Sequence, residues 1–239
     1  MKDSRAHWKA AVFYRAEADR VLCTLCPHAC VLREGQVGLC QRRRCRAGRL
    51  ETAGFTVAVR HLDAVERKPF YHYKPGHRVL TLGVPGCTFR CGYCQNYRLS
   101  QFGQAPEAVW QGRPVDADGL MAELEPGAVV GLSSSEPTLA AELTLALAQA
   151  GQAKRVDIVW KSNGFLTREA AQALAPALAA VNLDVKTVDP ARHRAMTGAH
   201  VGPVLDTLRR FFDAGVWVEV STPVIPGWNA DEDSLGVIA

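Results

Sequence analysis

Three cysteines stand close together in Gly86-Cys87-Thr88-Phe89-Arg90-Cys91-Gly92-Tyr93-Cys94-Gln95-Asn96. At the spacing C-x3-C-x2-C, a short loop can turn the thiolates of Cys87, Cys91 and Cys94 toward one point. Thiolate is the soft ligand that iron–sulfur clusters and zinc prefer. Three local ligands leave a four-metal cluster one ligand short. The metal left open can then take a substrate or cofactor, which separates reactive metal sites from closed structural ones. Two plainer readings stand beside this one: zinc completed by a distant ligand, or ordinary buried thiols. Zinc sites usually show two C-x2-C pairs, and this loop does not.

A second group precedes it. Cys23, Cys26, Cys30 and Cys40 stand at C-x2-C-x3-C-x9-C, with Pro27, Gly35 and Gly38 supplying turns. A loop-rich segment without its own core often needs a metal staple. The expectation is a second metal site, either zinc or a second iron–sulfur cluster; the alternative is four reduced thiols in a surface loop. His28 could serve as a ligand, but four cysteines suffice, so it reads as a neighbour of this site or a solvated side chain, and Cys45 as an unliganded thiol. Arg42, Arg43, Arg44, Arg46 and Arg49 follow. Such a run can contact phosphate, but without interleaved aromatics it reads as a solvated, charged turn leading into a hairpin.

The chain of 239 residues is long enough for one large domain, or a domain with a small appendage, and is 48% hydrophobic and 22% charged. No apolar run reaches the length of a membrane span. The first residues, Met1-Lys2-Asp3-Ser4-Arg5-Ala6-His7-Trp8, form no apolar leader. The expectation is a cytoplasmic protein that does not contact membranes, and eight cysteines there favour metal over disulfides. The net charge of +4 does not point to a nucleic-acid partner.

The elements that must position the thiols read as repeated βα units. Apolar strands are expected at 79–84, 128–132, 156–160, 181–185 and 216–220, and helices at 138–152, 167–178 and 204–214, with Thr167 as an N-cap. A weak helix is expected at 4–20, a short strand or hairpin at 50–59, and a polar, aromatic connector at 66–76. Short strands alternating with longer helices imply a parallel sheet. In such sheets chemistry sits at the C-terminal strand ends. Those ends carry Cys87, Cys91 and Cys94; then Ser133-Ser134-Ser135-Glu136-Pro137; then Lys161-Ser162-Asn163-Gly164; then Asp184 and Lys186; then Thr222 to Asn229.

The Cys87-x3-Cys91-x2-Cys94 loop, with Tyr93 before its last cysteine, resembles the signature of radical S-adenosylmethionine (SAM) enzymes. The resemblance implies a [4Fe-4S] cluster on the three cysteines, which carry the catalysis, and SAM chelated to its fourth iron. It also implies a partial (β/α)6 TIM-like barrel. Cys23-Thr24-Leu25-Cys26-Pro27-His28-Ala29-Cys30, Lys68-Pro69-Phe70-Tyr71-His72 and Cys94-Gln95-Asn96 narrow it. Together they resemble the radical SAM proteins of the AmmeMemoRadiSam system, relatives of pyruvate formate-lyase activating enzymes. This resemblance places Tyr93 near the SAM adenine and Glu136 against the SAM ammonium, where Ser134-Ser135-Glu136 replaces Gly-Gly-Glu. It places Asn163 near the ribose, and Asp184 and Lys186 on the SAM and substrate side. From the residues alone, Glu136 also reads as a charge at a helix N-terminus, Asn163 as an Asn-Gly turn, and Asp184 with Lys186 as a structural ion pair.

The expected division is a Cys-rich segment at 1–75 and a radical SAM core at 76–239, the barrel ending after its fifth strand. The implied activity is reductive cleavage of SAM to a 5′-deoxyadenosyl radical that abstracts hydrogen from a macromolecular substrate. Glycyl-radical activation is the neighbouring activity. A low-potential electron donor, flavodoxin or ferredoxin, is implied, together with Memo-like and AMMECR-like protein partners. The contrasting expectation is a non-catalytic metal-binding module whose arginines contact nucleic acid.

Overall fold

A computed structural model describes residues 7–103 and 112–238. Its centre is a six-stranded sheet. In chain order the strands are β1 (Val59–Ala64), β2 (Arg78–Gly83), β3 (Val129–Leu132), β4 (Asp157–Ser162), β5 (Ala180–Asp184) and β6 (Trp217–Ser221). They lie in the order β6-β5-β4-β3-β2-β1. The last five are mutually parallel, and β1 pairs antiparallel to β2. Parallel strands covered on both faces become near-continuous apolar runs, which is how β2 to β5 read.

The crossover helices are α1 (Ala117–Ala122), α2 (Ala141–Gly151), α3 (Arg168–Leu174), α4 (Pro190–Thr197) and α5 (Gly202–Asp213), with α6 (Glu232–Ile238) after β6. Side-chain caps fix several of their starts. Thr167 Oγ1 accepts from the Ala170 N–H at 3.2 Å, and Asp189 Oδ1 accepts from the Arg192 N–H at 2.8 Å. Leu143 and Leu147 of α2, four apart on one face, pack with Leu82, Leu132 and Trp160 of the sheet. The opposite sheet face has its own apolar floor, where Val79, Val129, Val159 and Ala180 meet Val65 and Phe70. The connector 66–76 is pinned there. The Glu219 carboxylate accepts from the backbone N–H groups of Tyr71, His72 and Tyr73 at 2.8, 3.2 and 3.0 Å. Tyr73 donates its hydroxyl to Asp157 at 2.6 Å.

The N-terminal region departs from expectation. The described part of 4–20, which starts at residue 7, is not helical. Lys9–Ala10 pairs with Arg49–Thr52, and Tyr14–Glu17 pairs with Arg20–Cys23. A distant strand and an adjacent hairpin partner override the weak helical preference of this alanine- and charge-rich stretch. Two small antiparallel sheets result, Lys9–Ala10/Arg49–Thr52/Arg43–Arg46 and Tyr14–Glu17/Arg20–Cys23/Val31–Arg33. The expected division at residue 75 does not follow the main sheet, which takes in β1 from the N-terminal side.

The arginine run is a second correction. It does form a hairpin, Arg43–Arg46 with Arg49–Thr52, but Arg42 and Arg43 are fully buried rather than solvated. Arg42 donates to the Ala53 carbonyl at 2.5 Å, and Arg43 forms an ion pair with Glu142 of α2. Arg44 pairs with Glu51 and stacks over Trp8, whereas Arg46 and Arg49 are exposed.

Candidate active site at the C-terminal strand ends

The loop after β2 carries the three thiols. Gly86 adopts φ +98°, and a Cβ there would meet the Cys40 carbonyl oxygen at 2.8 Å. Only glycine makes this turn without strain and without collision. The loop is then held from three sides. Arg90 donates to the carbonyls of Cys87 and Phe89 at 2.9 and 2.8 Å. His28 Nε2 lies 2.7 Å from the Thr88 carbonyl oxygen, with its ring edge-on to Phe165. The Arg90 N–H donates to the Thr197 carbonyl at 2.8 Å.

All three sulfurs are free thiols. Cys87 accepts from the Phe89 N–H at 3.3 Å and from Asn163 Nδ2 at 3.6 Å. Cys94 lies 3.1 Å from Ser100 Oγ. Burial pushes the Cys87 thiol up, and the Glu136 carboxylate and the other two thiols add to this. Burial also raises Cys91, against the opposing pull of Lys186. The buried thiols of Cys87 and Cys91 thus resist ionising, which matches them to a cationic metal centre. Among the described residues, no group of three or more His, Cys, Asp or Glu is drawn together as for a single metal ion.

Residues from the other strand ends converge on this loop. Asn163 follows β4 and is buried; its Nδ2 donates to Thr88 Oγ1 at 2.9 Å, and its Oδ1 accepts from the Phe165 N–H at 2.9 Å. Asp184 ends β5 and accepts from Lys161 at 2.5 Å and Lys186 at 3.0 Å. Burial pushes the Tyr93 phenol up, and its neighbours Cys91 and Asp184 add to this. Asp184 and Lys186 therefore face the Cys91–Tyr93 part of the loop, and Asn163 faces it at Cys87.

Glu136 is placed differently. It precedes α2 and is buried, and its carboxylate is engaged within the chain. Oε1 accepts from the Thr138 N–H at 2.9 Å, Thr138 Oγ1 at 2.7 Å and Ser162 Oγ at 2.6 Å. Oε2 accepts from the Asn163 N–H at 2.9 Å. Glu136 caps the Pro137–Ala140 turn and ties the loop after β3 to the loop after β4. Only part of the capacity of Oε2 remains for an ammonium.

Sequence reasoning passed over Thr88 and Thr138, and it set Ser162 and Lys161 at a strand end without giving them a role. The last carried a signal. Lys161 is a lysine inside an otherwise apolar strand, in phase with Asn163, and a buried strand lysine needs a carboxylate partner.

Ser134 takes φ +70°, a left-handed conformation that glycine adopts without strain. Ser134→Gly is expected to stabilise the protein by up to about 1 kcal/mol, read as a raised urea midpoint at unchanged slope. A lowered midpoint would show that the hydroxyl matters more than the strain.

Asp184 predicts an acid limb. Burial alone would raise its carboxyl, but Lys186 and Lys161 outweigh this and hold it below the usual range. A depressed folded-state pKa gives stability that is present above the unfolded value, about 3.9, and lost as pH falls through the folded one. Asp184→Asn should therefore flatten the decline in unfolding free energy between about pH 5 and 3. An unchanged slope in urea titrations would reject this assignment.

The Radical SAM superfamily model matches residues 82–235. "Uncharacterized protein MJ0808" of Methanocaldococcus jannaschii is 29% identical over 230 residues, covering 95% of this chain and 68% of that protein. The isethionate sulfite-lyase activating enzyme of Nitratidesulfovibrio vulgaris is 31% identical over 150 residues, covering 62% of this chain and 48% of its own. The pyruvate formate-lyase 1-activating enzyme of Escherichia coli is 27% identical over 173 residues, covering 67% and 66%. The chain thus spans between about half and two thirds of these relatives' lengths. Among solved structures, anSMEcpe with bound AdoMet superposes with a TM-score of 0.51 at 16% identity, over 66% of this chain and 47% of that one, a likeness of fold. The family match begins in the strand that launches the three-cysteine loop and runs through every strand end that faces it, and the chain belongs to the radical SAM superfamily.

Proposed function

We propose that this chain binds a [4Fe-4S] cluster through Cys87, Cys91 and Cys94, and reductively cleaves SAM to a 5′-deoxyadenosyl radical. That radical abstracts hydrogen from a macromolecular substrate. The observation that carries this reading is three free thiols and Tyr93 on one loop, faced by Asn163 and by Asp184 with Lys186 from two further chain segments. When bound, the cluster supplies one electron to the sulfonium and an open iron for the amino and carboxylate groups of SAM.

The protein's own contribution is positioning and charge. The N–H of Phe89 and the amide of Asn163 favour the thiolate of Cys87. Lys186 favours the thiolate of Cys91. Tyr93, partly exposed beside Cys91, offers a ring face at the mouth of the site for the adenine. The Lys161–Asp184–Lys186 network leaves a fixed cationic edge for a carboxylate of SAM or substrate.

Activating enzymes among the relatives support a protein substrate, so glycyl-radical activation is the neighbouring alternative. Memo-like and AMMECR-like proteins are the partners proposed from the resemblance, and flavodoxin or ferredoxin the electron donor. Burial of Arg42 and Arg43 weighs against a module that contacts nucleic acid through its arginine run. The test is anaerobic reconstitution, reduction and mass-spectrometric measurement of 5′-deoxyadenosine from SAM. Formation by wild type and loss in Cys94→Ala is the expected result. No product from a fully loaded wild-type cluster would overturn the reading.

A further inference from the structure

Cys23, Cys26, Cys30 and Cys40 lie 17 residues apart at the extremes, yet their side chains line one internal cavity. Leu25, Leu32 and Leu139 complete the wall. Gly38 passes so close that a Cβ there would sit 3.6 Å from the Cys30 sulfur. None of the four is in a disulfide.

Cationic side chains are at hand. Arg43 Nη1 lies 3.6 Å from the Cys23 sulfur. The Arg90 guanidinium feels Cys30 and Cys40 on one side and Cys87 and Cys91 on the other.

The size of the space separates the candidate occupants. The centre of a water-sized sphere can move through about 10 Å³ inside the cavity. Four thiolates around one zinc ion stand about 2.3 Å from its centre, which leaves no room for any such sphere. The cavity that the four cysteines line is therefore wider than one zinc ion needs, and a centre with its own irons and sulfides suits it better.

We propose that Cys23, Cys26, Cys30 and Cys40 ligate a second cluster of the [4Fe-4S] class, closed by four thiolates and seated directly behind the Cys87–Cys94 loop. The centre ties the two segments together. Arg90 reaches from the loop to the Leu39 carbonyl at 2.5 Å, and Cys26 packs in one apolar group with Phe89, Cys87 and Cys91. With every iron ligated by protein, this centre has no open position for SAM. It does not depend on catalysis at Cys87, Cys91 and Cys94.

The test is anaerobic reconstitution of the chain with iron and sulfide, followed by iron, sulfide and zinc counting and electron paramagnetic resonance after reduction. Wild type should hold about eight irons and eight sulfides, and the Cys87/Cys91/Cys94→Ala variant about four of each, with the reduced-cluster signal retained. That retained signal should not change when SAM is added. A triple variant that holds no sulfide, or one zinc in its place, overturns the proposal. The counts also separate this proposal from the catalytic reading. About four irons in wild type and none in the triple variant would leave the SAM-binding centre standing alone. About four in both would leave only the N-terminal centre. A Cys23/Cys26/Cys30/Cys40→Ser variant should keep about four irons, but its folding is not needed for the decision, which rests on the triple variant.

Discussion

Replacing Arg43 by Met is expected to cost about 3–5 kcal/mol of stability, the usual price of stranding one partner of a buried ion pair. Arg43 and Glu142 are both buried, and they pair across a sequence separation of 99. Burial alone would make Arg43 easier to deprotonate, but the Glu142 carboxylate outweighs this and holds it charged. Around the pair, Arg43 Nη1 donates to the Phe13 carbonyl at 3.2 Å, and Glu142 Oε1 accepts from the Val12 N–H at 3.1 Å. The pair thus fastens the N-terminal strands to α2 of the core. In a chain of this size the loss corresponds to a fall in melting temperature of roughly 6–20 °C. The double variant Arg43→Met/Glu142→Leu should recover much of it, because no charge is then left buried without a partner. Calorimetry on both variants checks this. A single variant within about 1 kcal/mol of wild type would show that Glu142 finds solvent or another cation.

That pair also marks where the sequence stopped being legible. A run of five arginines is normally a solvated face, and nothing local says that two of them turn inward. The reason lies in a glutamate of a distant helix. The parallel strands were legible for the opposite reason: 79–84, 128–132, 156–160 and 181–185 are apolar on both faces, and a strand buried on both sides leaves that mark whatever its partners. The antiparallel edge strand Val59–Ala64 was not recognised as part of the main sheet. It is largely exposed, and Arg60, His61 and Asp63 interrupt its pattern. The helix at 190–197 was missed although Asp189-Pro190 is a cap followed by proline at the first helical position, a signal that was there to use.

At the site, the spacing of Cys87, Cys91 and Cys94 was visible because a loop brings near neighbours together. The wiring among Glu136, Ser162, Asn163 and Thr138 was not, because it depends on the register of two parallel strands. Val129 stands opposite Asp157, and that register carries the loop after β3 beside the loop after β4. Sequence could place Glu136 and Asn163 on neighbouring strand ends. It could not show that the carboxylate of one accepts from the backbone of the other.

That wiring gives the second large effect. Glu136→Ala is expected to destabilise the protein by about 2–6 kcal/mol, because it removes the acceptor of two backbone N–H groups, each costing about 1–3 kcal/mol when buried without a partner. The hydroxyls of Thr138 and Ser162 can rotate to new acceptors, but the amides of Thr138 and Asn163 cannot. Burial pushes the Glu136 carboxyl up, and the donors from Ser162, Asn163 and Thr138 only partly offset it. A raised folded-state pKa means that this group's contribution is fully present below the ordinary glutamate range and declines as pH rises through the folded value. Glu136→Gln, uncharged throughout, should lack that decline. It retains one acceptor oxygen but sets an amide N–H₂ against a backbone donor, so it should fall between wild type and alanine in stability. The two variants also separate an internal role from contact with a ligand. If Glu136 acts only by joining the loops, the glutamine variant should bind SAM in proportion to the fraction folded, as read by calorimetric titration of cluster-loaded protein. If its remaining lone pair meets the SAM ammonium, affinity should drop by more than the folded fraction explains, since a charge-assisted hydrogen bond is worth about 1.5–3 kcal/mol.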